Sequence, residues 1–71
     1  MFFNMKVEIN EQQPLDDVVS ELERLGYEAS QIVFYATHIN TTECGTYLLT
    51  KHPWEFTLTT LPELKEMKCS N

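Results

Sequence analysis

Seventy-one residues suffice for one domain spanning 1–71, and a chain of this size buries only roughly 60% of the surface it exposes when unfolded, so its stability is expected to be marginal. Eleven acidic against five basic residues give a net charge of −6 at pH 7, which argues against direct binding to nucleic acid or to an anionic membrane, since both recruit Lys and Arg. Two cysteines, Cys44 and Cys69, are far from a secreted disulfide framework, and MFFNMKVEIN lacks a basic segment followed by a long apolar one; the expected setting is the cytoplasm, with reduced thiols.

Phe2 to Ile9 alternates in character. Phe3, Met5, Val7 and Ile9 fall on one side, and Phe2, Asn4, Lys6 and Glu8 on the other, the pattern of a half-buried strand. A polar link, Asn10 to Gln13, leads into PLDDVVSELERLGY, Pro14 to Tyr27. Leu15, Val18, Val19, Leu22 and Leu25 share one face of a 3.6-residue helix, while Asp16, Asp17, Ser20, Glu21, Glu23 and Arg24 occupy the other. Pro14 suits the first helical position, and the two aspartates lie at the positive end of the dipole. Gly26 supplies a left-handed stop, after which Tyr27 folds back on Leu22.

QIVFYATHI, Gln31 to Ile39, is rich in β-branched and aromatic residues and reads as a second strand. Both of its sides carry bulk: Ile32, Phe34 and Ala36 on one, Val33, Tyr35 and Ile39 on the other. Asn40 to Gly45 has the composition of a turn with Gly45 left-handed. Thr46 to His52 then forms a third strand hairpinned to the second, ended by Pro53. Glu55 to Thr60 alternates again, with Phe56 and Leu58 expected inward and Glu55, Thr57 and Thr59 outward. Thr60 and Glu63 have capping-box spacing ahead of a short helix whose stripe is Leu61, Leu64 and Met67.

The expected fold is α+β: a small mixed sheet of three to four strands in the order β-α-β-β-β-α. One long amphipathic helix lies on one face, and a short C-terminal helix closes the chain. A strand–helix–strand unit sets its strands parallel through a right-handed crossover, and the later hairpins are antiparallel.

One long helix covers one face only. The other then holds Val33, Tyr35 and Ile39, with either Tyr47 and Leu49 or Leu48, depending on hairpin register. Either the terminal helix folds under this face, or a protein partner or second copy of the chain covers it. Trp54 is an interface anchor if exposed, or a lid over the sheet edge, the commoner arrangement for a turn tryptophan.

Residues able to do chemistry are sparse. His38, Cys44, His52 and Cys69 could in principle share a zinc ion, but no C-x-x-C or H-x-x-x-H pair supports it. Cys44 as a nucleophile needs a base, and His38 or His52 across the hairpin is the available choice. A bystander thiol is the simpler reading. Asp16, Asp17, Glu21 and Glu23 fit a solvated helix face, or an acidic decoy docking in the basic groove of a nucleic-acid-handling protein. Asn40-Thr41-Thr42 matches a glycosylation sequon by chance. With only Gly26 and Gly45 no phosphate-binding loop exists, so no cofactor is expected. The expectation is a non-enzymatic interaction module, acting as a homodimer, inhibitor or adaptor through Val33, Tyr35, Ile39, Tyr47, Leu49 and Trp54. An acidic decoy and a thiol- or metal-dependent enzyme are the rivals.

Overall fold

The computed structural model describes residues 2–31 and 35–68. Its elements are β1 (Met5–Glu8), α1 (Leu15–Arg24), β2 (Glu28–Gln31), β3 (His38–Thr41), β4 (Thr46–Thr50), β5 (Thr57–Thr59) and α2 (Leu61–Glu66). The five strands form one mixed sheet in the order β2-β4-β3-β1-β5. The expected three to four strands become five because Glu28 to Ser30, expected as a link, join Gln31 in β2, while the strand expected from Gln31 to Ile39 is replaced at its far end by β3, which runs on into Asn40 and Thr41. Tyr35 sits in a turn with φ 63°, and β3 begins after it. A bulky residue at positive φ is uncommon and stops extended pairing.

α1 forms for the reasons its sequence gives, with one change at its start. Pro14 is the cap rather than the first helical residue; its ψ of 150° is extended. At the other end, Gly26 takes φ 99°. The Tyr27 amide donates to the Leu22 carbonyl at 3.0 Å and the Gly26 amide to Glu23 at 3.0 Å, the paired bonds of a Schellman stop. α2 carries the full capping box: the Thr60 hydroxyl accepts from the Glu63 amide, and the Glu63 carboxylate accepts from the Thr60 amide.

β1 and β3 pair antiparallel, as do β3 and β4, while β1–β5 and β2–β4 are parallel. β5 therefore lies beside β1 and not beside β4, as the expected hairpin would place it. Its alternation is also inverted, with Thr59 buried and Leu58 exposed. Pairing with β1 in the register Val7↔Thr59 puts Thr59 on the side of the buried Val7.

Val7, Ile39 and Leu49 lie in register across three strands, and Met5, Thr41 and Tyr47 form the adjacent row. Both rows point at the helices, where Val18, Leu22, Leu25, Tyr27, Leu61 and Leu64 complete the core. α2 packs against α1, so both helices lie on one side of the sheet. Arg24 ties them: its Nη2 donates to the Leu64 and Met67 carbonyls at 3.0 Å each, while its Nε meets Glu21 at 2.8 Å. Among the described residues no helix is long and apolar enough to cross a membrane.

The reverse side is crossed by the connection between β4 and β5. That segment, residues 51–56, must pass β3 and β1, three strand spacings or about 15 Å. Asn40 alternates with Ile39 and so points away from the helices. It is 1% exposed, and its Oδ1 accepts the Trp54 amide at 2.8 Å. The β1–β2 and β4–β5 crossovers run in opposite directions along the sheet and on opposite sides of it. They therefore share one hand, as a sheet whose strands all twist the same way requires.

Candidate functional site

The strap and β5 put an apolar strip on the side of the sheet that neither helix occupies. Trp54 and Phe56 stack edge to face, with ring centroids 5.4 Å apart and planes at 67°. Trp54 stays 51% exposed and Leu58 60% exposed, while Phe56 is half-buried. Leu58 points outward because its register partner is Lys6, the residue between the inward-facing Met5 and Val7. Trp54 is thus held by its backbone over Asn40, leaving much of its indole in solvent.

Of the residues expected on this side, three lie on the other. Ile39, Tyr47 and Leu49 are buried against the helices at 6% exposure or less. The correction follows from the break at Tyr35: a turn resets the two-residue alternation, so Ile39 no longer shares a side with Tyr35. The hairpin register Ile39↔Leu49 and Thr41↔Tyr47 then carries Leu49 and Tyr47 with it. Val33 lies outside the described residues. Tyr35 is 88% exposed in its turn, with the Lys51 ammonium 5.9 Å from its ring centroid.

Tyr47 has a structural partner instead. Its hydroxyl donates to Glu23 Oε2 at 3.1 Å, linking β4 to α1. Burial, then the hydrogen bond to Glu23 and the charge of that carboxylate, raise its pKa above the ordinary phenol value of 10.0. The acidic row of α1 is accordingly divided. Glu23, though exposed, takes this bond and Glu21 is paired with Arg24, whereas Asp16 and Asp17 stand exposed on the first turn.

Cys44 is exposed in the tight turn between β3 and β4, where the Thr42 amide donates to Thr46. His38 lies at the far end of that hairpin, opposite Thr50, and His52 just beyond it. The length of the hairpin therefore separates either imidazole from the thiol. His38 Nδ1 is instead 2.9 Å from the Thr37 hydroxyl. Cys69 lies outside the described residues, among which no three His, Cys, Asp or Glu side chains gather as a metal site.

Two shallow grooves flank β5. The first, about 330 Å³, is lined on the helix side by Phe3, Met5, Thr57, Thr59, Glu63 and Met67. The second, about 260 Å³, lies at the carboxyl ends of β1 and β5 among Glu8, Asn10, Gln12, Leu58 and Thr60. Sequence reasoning missed both, because they exist only where β5 meets β1. The one available signal was Leu58, whose inward assignment assumed pairing with the preceding strand. No protein-family model matches the chain, and comparison with curated proteins and with solved structures gives no match.

Proposed function

We propose that the protein is a non-enzymatic interaction module that engages another protein through the side of the sheet opposite its helices. The observation that carries this reading is the strip in which Trp54 and Leu58 stand exposed beside the half-buried Phe56, where neither helix packs. Large aromatics held rigidly at a surface supply contact area at low entropic cost, which is why they anchor protein interfaces. Trp54 is fixed on two sides, by the Asn40 bond to its amide and by the Phe56 ring. The strip replaces the residues first expected there, with Trp54 the one they share and Tyr35 close to Lys51 at the same end of the hairpin. Homodimer, inhibitor and adaptor are forms of this one activity, and a cytoplasmic setting fits it.

The test compares the wild-type chain with Trp54→Ala as baits in native lysate, alongside light scattering over a concentration series. A partner, or a concentration-dependent dimer, that is held by wild type and lost from a folded Trp54→Ala variant supports the proposal. Identical behaviour of the two chains refutes it.

A further inference from the structure

The hydrogen bonds of β1 settle which way the backbone of β5 faces. The Ile9 amide donates to the Thr37 carbonyl at 2.9 Å, and the Met5 carbonyl accepts from Asn40 Nδ2 at 3.3 Å. Odd-numbered residues of β1 therefore direct their backbone groups toward β3, and Lys6 and Glu8 direct theirs toward β5. In a parallel pair, a residue bonds to the two neighbours of its register partner. The partner of Lys6 is Leu58, so Thr57 and Thr59 turn inward and the Leu58 N–H and C=O point out along the open edge. That edge is short. The Phe56 amide is taken by the Trp54 carbonyl at 2.8 Å and the Thr60 amide by Glu63 at 3.0 Å, closing it at both ends.

We infer that this open position of β5, with the groove on each flank, is the docking line for an extended segment of a partner protein that carries an apolar anchor and a basic residue. The inference rests on the interaction reading above and names the partner chemistry at that site. An added strand can bond to the free Leu58 pair, and its successive side chains fall on opposite sides of the sheet. Those on the helix side meet the groove of Phe3, Met5 and Met67, which fits an apolar residue. Those on the outer side meet Leu58 and, at the carboxyl end, the Glu8 groove. An apolar residue and a basic residue an odd number of positions apart satisfy both.

Charge selects the occupant. Glu8 and Glu63 line the two grooves and Glu55 precedes β5, while the neighbouring cation, Lys6, is half-buried. A second copy carries the same net charge of −6, which opposes its approach, whereas a basic segment is attracted to these carboxylates. Because only one residue of the edge is free, the match is short and depends on both side-chain grooves.

The test pans a displayed library of random nine-residue peptides against the full chain. Selected peptides are then measured by fluorescence anisotropy and by amide hydrogen exchange. The expected peptides place Lys or Arg an odd number of positions from a β-branched or aromatic residue. They slow exchange at the Leu58 amide at least tenfold, and Glu8→Gln weakens them about fivefold, the scale of one rim charge pair. Failure to enrich peptides, enrichment of acidic ones, or binding that leaves Leu58 exchange unchanged overturns the inference. So does a Leu58 amide already protected in the free protein by self-association, which makes a second copy the occupant. Peptides lost on Trp54→Ala with Leu58 exchange unaltered overturn the edge assignment alone and leave the interaction reading standing.

Discussion

Asn40 is the residue whose removal should most change the outer side of the sheet. It is nearly fully buried, accepts the Trp54 amide at 2.8 Å, and donates to the Met5 carbonyl at 3.3 Å. The longer bond contributes little; the shorter one is the strap's polar anchor to the sheet. In Asn40→Ala the Trp54 amide loses its acceptor in a half-buried position. Such a loss costs about 1–3 kcal/mol, the lower end applying if water enters the vacated space. A 71-residue domain has only about 4–10 kcal/mol in total, so the melting point should fall by roughly 5–20 °C. Urea unfolding followed by far-UV circular dichroism gives the free energy, and Trp54, the single tryptophan, reports on the strap itself. Its quenching by acrylamide in the native state should rise in the variant. A change under about 0.5 kcal/mol, with quenching unaltered, would refute the claim that this bond anchors the crossing.

Gly45→Ala should cost more than Gly26→Ala in the same urea assay. Both glycines have positive φ, but a Cβ at Gly45 would meet the Phe2 ring at 2.8 Å, against 3.5 Å at Gly26. The expected losses are about 2–3 and about 1 kcal/mol, and the reverse order would refute the packing argument. Thr60→Ala removes the α2 cap and should cost about 1 kcal/mol, with amide exchange rising in residues 61–66 ahead of the sheet. Arg24→Ala should release the same helix by freeing the Leu64 and Met67 carbonyls. Tyr47→Phe tests a pH dependence. The folded phenol loses its proton at higher pH than the unfolded one, so its contribution is full below pH 10.0 and is lost as pH rises above that value. Denaturant midpoints should therefore fall less steeply above pH 10.0 in the variant than in wild type.

What the sequence disclosed was mostly local chemistry. The stripe of α1, its Gly26 stop, the Thr60–Glu63 box and the left-handed Gly45 each depend on residues within a few positions of one another. Strand pairing does not. Nothing near Leu58 says that β5 joins β1, residues from opposite ends of the chain, and that partner choice sets which of its side chains face inward. Tyr35 shows the other failure. Its neighbours have strand propensity, yet one residue at positive φ resets the alternation and carries Ile39, Tyr47 and Leu49 to the helix side. For the candidate site, the sequence left Trp54 as either an exposed anchor or, more commonly, a lid over the sheet edge, and put Tyr35 in a strand; the turn at Tyr35, and Phe56, Leu58 and the grooves beside β5, needed the strand order.

The placement of β5 also bears on how the chain acquires its structure. The β3–β4 hairpin closes a loop of a few residues, but β5 has nothing to pair with until β1 is already in the sheet and the strap has crossed two strands. Contacts between distant segments carry the larger closure entropy and form slowly. The segment from β5 onward, with α2 and the Arg24 clasp, is therefore expected to assemble last and to open first, which amide exchange in residues 57–66 would show as the earliest to rise. Until that segment has docked, an emerging polypeptide holds its apolar helix-side surface partly uncovered.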